Sequence, residues 1–529
     1  MPVTPPLFRR LRHGLLLWLA CLLVGCAGLP ARLPVPPVAA IAATPSTPLG
    51  RAAEQLQAGR EPTHSSVRSL SQANFALDAR LTLMRRAQAS LDVQTYQIGN
   101  DKTGRLILRE LRDAARRGVR VRLLLDDFYT AGLDGLLLAL ASEPNAEVRL
   151  FNPFVNGRAH AFTRWIDFFA DFRRLNHRMH NKLFVADGAF AIAGGRNLAD
   201  EYFLRSTTAN FIDLEVVLAG PVVPELAGIF DRYWNSEVVY PLATVAASPD
   251  TPAQLRSAFE AATSGPGTPE PEPPDTPDTF GDGPLGEQLD SGRLPWIRAF
   301  AQAEGDSPTK ALGQGPFPTE TLARSSQAMA AQAKSEVTIV SPYFIPGDEG
   351  VARIRALRER GVRVTVATNS LADSDEPLVN INYNRYRVAL LQLGVTLYEV
   401  SSHQLKRRGQ FRRLLKQARG RLHAKLALID REWVLLGSMN LDPRSARLNT
   451  EIGVRIRSTE LAHALVYAYH MDDIDGVYRV ALQPDGQSVQ WVSAADDGTD
   501  EVLTEEPDSS LLTRLQLLLF SWFVPTDQL

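Results

Sequence analysis

The chain has 529 residues, 45% hydrophobic and 22% charged, a globular composition long enough for two or more domains, which excludes a chain disordered throughout. Its 57 Lys and Arg against 59 Asp and Glu leave a formal net charge of −2, so no global basic field advertises nucleic acid and any anion site must be local. The two cysteines, Cys21 and Cys26, both fall at the N-terminus, and stability must come from packing rather than a disulfide.

Arg9, Arg10 and Arg12 precede an apolar run from Gly14 to Val24 that is short for a membrane span and has the form of a secretory signal over residues 1–25. It closes on Leu23-Val24-Gly25-Cys26, which resembles the bacterial lipobox. That likeness implies cleavage before Cys26 and diacylglycerol on its sulfur; the plainer alternative is an ordinary signal with an incidental cysteine. A lipidated Cys26 predicts anchoring in the bacterial cell envelope, facing the periplasm, and Ala27 where an Asp would stand for inner-membrane retention favours the outer membrane.

Residues 26–63 are rich in Pro and Ala and read as an extended tether. In 64–245, Leu91 to Tyr96 alternates as a strand. Arg105 to Arg116 then spaces Leu108, Leu111 and Ala115 as a helix ending at Gly118, and Val119 to Leu125 alternates again. Strand, helix, strand predicts parallel pairing in an α/β fold. Phe162, Trp165, Ile166, Phe168, Phe169 and Phe172, followed by Arg173, Arg174 and Arg178, form an aromatic stripe that fits either a core face or a membrane interface.

Next comes His180-Asn181-Lys182 with Asp187 five residues on, then Gly194-Gly195-Arg196-Asn197. Residues 246–294 carry Pro269-Glu270-Pro271-Glu272-Pro273-Pro274 and predict a mobile linker or an insertion, without a core of its own.

Over 295–529 the earlier order returns: Val337 to Val340 as strand, Val351, Ile354 and Leu357 on a helix ended by Gly361, and Val362 to Val366 as strand. Eight cations between Lys406 and Arg421 are either a solvated face or a collector of anionic headgroups or nucleic-acid phosphate. His423-Ala424-Lys425 with Asp430, and Gly437-Ser438-Met439-Asn440, follow. His180 and His423, Lys182 and Lys425, Asp187 and Asp430, and Asn197 and Asn440 each lie 243 residues apart. One unit has been duplicated. Leu511 to Val524 is apolar but interrupted by Arg514 and shorter than a span, so it packs on the core or lies at an interface.

Met179 to Phe184 and Leu422 to Ile429 read as strands, on which His180 and Lys182, and His423 and Lys425, share a face. If the halves pack about a pseudo-twofold, both imidazoles meet one substrate. One histidine can attack phosphorus while the other protonates the departing alcohol, giving a phosphohistidine intermediate, and the lysines and asparagine amides serve anionic oxygens without calling on a metal or other cofactor. The imidazoles are expected in opposite protonation states, set by neighbouring carboxylates.

His-x-Lys-x-x-x-x-Asp followed by Gly-Gly or Gly-Ser and Asn resembles the phospholipase D superfamily. Phe151 to Phe154, Arg174 to Lys182, Gly194 to Phe203, Asp231 to Asn235, Ser341 to Pro346 and Gly437 to Ser445 carry the likeness toward the cardiolipin synthase branch, particularly its C-type members. The resemblance implies two α/β/α sandwich units with the active site between them. It implies His180 as nucleophile and His423 as general acid, or the reverse, and Asp213 and Glu451 as carboxylates orienting the histidine of the partner half. Asp187 and Asp430 are expected to be structural.

The implied activity is phosphatidyl transfer between phospholipid substrates, making cardiolipin. A phospholipase D giving the intermediate to water, a nuclease and a non-catalytic envelope lipoprotein are the alternatives. Near-neutral charge and the lipid anchor argue against nucleic acid as partner.

Overall fold

The computed structural model describes residues 29–31, 36–59, 61–155, 158, 161–265, 267–274, 277–313, 319–407, 418–468, 477–494 and 500–509. The predicted signal segment, Cys26, residues 408–417 of the cationic run and the apolar C-terminal segment from 510 on lie outside them. Among the described residues no helix is long and apolar enough to cross a membrane.

In chain order the first half holds α1 (Pro48–Gln57), β1 (His64–Leu70), α2 (Ala73–Arg86), β2 (Ser90–Thr95), α3 (Lys102–Arg116), β3 (Arg120–Asp126), β4 (Ala146–Phe151), α4 (Ala161–Ala170), β5 (Leu183–Ala186), β6 (Phe190–Gly194), β7 (Ala209–Ile212), β8 (Glu215–Ala219), α5 (Val222–Trp234) and β9 (Val239–Pro241). Helices α6 (Pro252–Thr263) and α7 (Leu285–Ser291) follow. The second half holds β10 (Ile297–Gly305), α8 (Leu322–Ala331), β11 (Glu336–Val340), α9 (Gly347–Glu359), β12 (Arg363–Asn369), α10 (Pro377–Gln392), β13 (Thr396–Val400), β14 (Arg419–Leu422), β15 (Leu426–Ile429), β16 (Trp433–Gly437), β17 (Ile452–Arg457), α11 (Thr459–Ala468), β18 (Val477–Leu482), β19 (Val489–Ala494) and β20 (Asp500–Leu503).

The pairing repeats strand for strand. β9-β4-β3-β2-β5-β6-β8-β1 makes one half-sheet and β18-β13-β12-β11-β15-β16-β17-β10 the other, β1 and β10 pair antiparallel to join them, and β19 and β20 extend the second edge. β2 and β3, like β11 and β12, run parallel, as the strand-helix-strand pattern predicts. The period-two alternation sends Leu123, Leu125, Phe184 and Val217 to an outer core under α2 and α3, and Leu124, Val185, Val216 and Leu218 to a central core. Leu426, Leu428, Val434 and Leu436 of the second half enter that same central core, so the halves share one apolar interior. Fully burying such a side chain is worth roughly 1.5–3 kcal/mol, which makes the juxtaposition of the halves a property of the fold.

The segments expected as an extended tether and as a mobile linker or insertion both contain folded, packed elements. In the predicted tether, Thr47 caps α1, which buries Leu49, Ala53 and Leu56, and Val38 N and Ala40 N donate to Asn235 Oδ1 (2.9 Å) and Asp231 Oδ2 (2.7 Å). In the predicted linker, a Thr251–Gln254 capping box starts α6, which buries Leu255 and Phe259. Its acidic residues meet the arginines of α2 and α3: Glu260 bonds Arg112 (2.6 Å) and Glu270 bonds Arg85 (2.8 Å) and Arg109. Low hydrophobicity hid a strap held by complementary charge and a few apolar anchors.

The aromatic stripe is α4. Phe162, Trp165, Ile166 and Phe169 are 55–76% exposed, whereas Phe168 packs on Phe128 with ring centroids 5.9 Å apart. Buried Arg158 and Arg164 hold the helix down by bonding Asp127 and, at 3.0 Å, Thr130. The core reading is thereby corrected for all but one face.

Candidate active site

Each histidine lies just before its strand, because β5 and β15 begin at Leu183 and Leu426, three residues later than the strand reading placed the motif faces. The reason is that the backbone here pairs with the other half. His180 N donates to Thr450 O (2.9 Å) and Thr450 N to Arg178 O (2.9 Å), while His423 N donates to Ile212 O (2.8 Å) and β14 runs parallel to β7. Lys182 and Lys425 fold back onto the carbonyls of His180 (2.7 Å) and His423 (2.6 Å).

This cross-half pairing delivers the partner's carboxylate. Glu451 Oε2 lies 3.0 Å from His180 Nδ1, and Asp213 Oδ2 lies 2.6 Å from His423 Nδ1. All four are buried. Nδ1–H donating to a carboxylate leaves Nε2 with its lone pair free for chemistry. Tyr96 stands edge-on to His180 at 5.1 Å, and Tyr202 to His423 at the same distance.

Burial pushes both imidazoles down to about 4, against the upward pull of Glu451 on His180, and with the Lys425 charge reinforcing burial at His423. Lys425 also acts on His180 and on Lys182, so the two motifs share one electrostatic field. Burial draws Lys425 down to about 8 and Lys182 well below its usual range. Burial would raise Asp213, but His423, Lys425 and Arg196 outweigh it and hold the carboxyl at about 2; His180 and Lys182 likewise win over burial at Glu451. Burial thus favours the neutral form of both imidazoles, where opposite protonation states were expected. An anion brought beside either ring would raise it and favour its protonation.

The two asparagines differ. Asn197 Nδ2 donates to Tyr202 Oη (2.8 Å), whereas Asn440 Oδ1 is buried with no protein partner. Asp187 accepts from the backbone N–H of Gln88, Ala89 (2.8 Å) and Ser90 (3.0 Å), and Asp430 from Lys334, Ser335 (2.7 Å) and Glu336 (3.0 Å). Each ties the end of its own strand to the start of the neighbouring one.

Sequence reasoning missed the clamps behind each histidine. Asp126, at the end of β3, accepts from Met179 N (2.8 Å) and pairs with buried Arg178 (2.9 Å); Asn369, 243 residues on, grips Leu422 through both its N–H (2.8 Å) and C=O (2.9 Å). It also missed Ser438 and Ser445, whose hydroxyls both donate to Glu451, the latter at 2.8 Å. The register 126 to 369 was the available signal.

A duplicated mixed α/β unit, with one His-x-Lys loop from each half facing a carboxylate of the other, defines a phospholipase D-like architecture. Residues 81–234 and 327–470 match the family described as cardiolipin synthase, PLD-like domain, and the chain belongs to that family. It is 36% identical over 459 residues to cardiolipin synthase C of Escherichia coli strain K12, covering 84% of this chain and 92% of that one. It is 28% identical over 406 residues to cardiolipin synthase A of Pseudomonas fluorescens, covering 74% and 66%. Among solved structures, phosphatidylserine synthase of Haemophilus influenzae Rd KW20 superposes with a TM-score of 0.55 at 14% identity, over 91% of this chain and all of that one, a likeness of fold.

Proposed function

We propose that the protein is a phosphatidyltransferase that makes cardiolipin by phosphodiester exchange between phospholipids. The observation that carries this is the pair of crossed contacts, His180 with Glu451 and His423 with Asp213. Family membership and the relatives named cardiolipin synthase supply the substrate class.

His180 Nε2 attacks the phosphorus of the donor lipid, the P–O bond to the headgroup alcohol breaks, and His423 gives that alcohol its proton. His423 then takes the proton of the hydroxyl of an incoming phosphatidylglycerol, whose oxygen attacks phosphorus and releases His180. The order of roles rests on the carboxylates. Glu451 is shared with two serine hydroxyls, which disperses its charge, whereas Asp213 bears on His423 at 2.6 Å and better supports an imidazolium. Lys182, Lys425, Asn197 and Asn440 serve the phosphoryl oxygens.

The functional body is the two repeats, 64–245 and 295–529, with the preceding segment and the 246–294 strap bound to the first. Diacylated Cys26 tethers it to the periplasm-facing envelope membrane. Helix α4, with four exposed apolar side chains and Arg173 following, lies at the bilayer interface.

Purified protein incubated in chelator with phosphatidylglycerol, with and without phosphatidylethanolamine, is expected to yield cardiolipin by mass spectrometry. Phosphatidic acid as the sole product would replace transfer by hydrolysis, and cleavage of DNA without lipid turnover would overturn the reading.

A further inference from the structure

The second half carries a mostly apolar cavity of about 720 Å³, open to solvent where Glu349 is exposed, between α8, α9 and its half-sheet. At the same place in the first half large side chains are buried in the outer core. The Asp187 and Asp430 cradles align Ser90 with Glu336, which sets Leu77, Leu81 and Met84 of α2 against Ala323, Gln327 and Ala330 of α8. The paired Gly118 and Gly361 likewise set Leu106 and Ile107 of α3 against Glu349 and Gly350 of α9. All five first-half side chains are buried in the outer core, and all five second-half counterparts line the cavity. At these five positions large apolar residues give way to small or polar ones, while Ala76 and Ala114 become Leu322 and Leu357, which add apolar lining to the same space.

Two features connect it to the proposed site. Lys425 and Asn440 line the same cavity, and Asn440 is 5% exposed with its buried Oδ1 lacking a protein partner. Its floor is Val337, Ile339 and Leu435 of the half-sheet. Leaving apolar volume of this size empty forfeits dispersion contacts, and the volume falls within the roughly 300–1,000 Å³ of small-molecule pockets.

We propose that this cavity is an acyl-chain site, holding one fatty chain of a phospholipid whose phosphate is at Lys425 and Asn440. The inference rests on the lipid reading of the site and deepens it by making the second half the one that grips the tail. In the first half the corresponding positions are filled by Leu77, Leu81, Met84, Leu106 and Ile107.

The test uses the full chain in detergent with phosphatidylglycerol carrying a diazirine on one acyl chain. Illumination and peptide mapping are expected to place the crosslinks on Leu322–Ala331 and Gly347–Glu359. The triple variant Ala323→Leu, Gln327→Leu, Ala330→Met, which copies the first half, should lose those crosslinks and raise KM for dioleoyl over dioctanoyl phosphatidylglycerol, by roughly fourfold for each methylene excluded. Its Tm should be no lower than that of the parent, since it fills a void.

Crosslinks confined to other elements, or an unchanged chain-length preference in a folded triple variant, would overturn the acyl-chain site while leaving the transferase reading intact. Crosslinks in the cavity without any turnover of phosphatidylglycerol would support the acyl-chain site and refute the transferase reading.

Discussion

In the first half the carboxylate that faces the partner's imidazole is Asp213, seated against Gly195, where a Cβ would collide with its Oδ1. In the second it is Glu451, one methylene longer, and the position 243 residues after Gly195 is Ser438, whose hydroxyl bonds it. The clamp behind the histidine is an ion pair, Asp126 with Arg178, in the first half and a neutral amide, Asn369, in the second. Duplication preserved the strands and the attacking groups while the supporting charges diverged. A symmetric scaffold thereby gives its two imidazoles unequal supports, the asymmetry on which the proposed two-step exchange draws.

The strongest way to break the comparison is to remove either ring. His180→Ala and His423→Ala should each lower turnover by on the order of 10⁴-fold or more, read as cardiolipin formed per enzyme; appreciable activity in either ends the two-histidine account.

Exchanging the orienters sharpens it. Asp213→Asn should cost about 10³-fold in kcat, and Glu451→Gln less, because the serine hydroxyls still fix the shorter-range geometry; equal losses would remove the asymmetry on which the roles rest.

Asp126→Asn strips buried Arg178 of its counter-charge and should cost about 3 kcal/mol, visible as a lowered urea midpoint, whereas Asn369→Ala loses only neutral hydrogen bonds and should cost about 1–3 kcal/mol.

Stability should also fall in mild acid. The unfolded chain takes up protons at His180 and His423 below about 6.5, but the folded protein resists until about 4. The unfolded state therefore binds more protons in that window, and stability drops by about 1.4 kcal/mol per pH unit per histidine as pH falls through it, with no contribution above. Tm against pH should flatten in the His180→Gln, His423→Gln double variant; an unchanged slope would refute neutral burial.

The smallest effect on stability, below about 0.5 kcal/mol, is expected for Trp165→Ala with Phe169→Ala, since both rings are exposed. The same pair should weaken sedimentation of the Cys26→Ala protein with anionic vesicles, and undiminished binding would remove α4 from the interface.

The duplication, the parallel strands around α3 and α9 and the two attacking loops were legible in the sequence because identity at fixed spacing and period-two alternation are local signals. The His180–Glu451 and His423–Asp213 contacts were reachable only through family resemblance, since each joins residues more than 200 apart. The strap over 246–294 was misread because complementarity between its acids and the arginines of α2 and α3 is a property of two surfaces, invisible in either composition alone. Helix α4 stayed ambiguous for a similar reason: an aromatic stripe records that a face is apolar, while its exposure depends on buried Arg158 and Arg164 turning another face inward.

The most direct measurement is to quench the enzyme in alkali during turnover of phosphatidylglycerol, digest it, and find the peptide carrying a phosphorus–nitrogen-linked glycerophosphoryl mass. The account predicts that mass on the peptide containing His180 and not on the one containing His423. Finding it on His423, or finding the intermediate unaffected in His180→Ala, would contradict it.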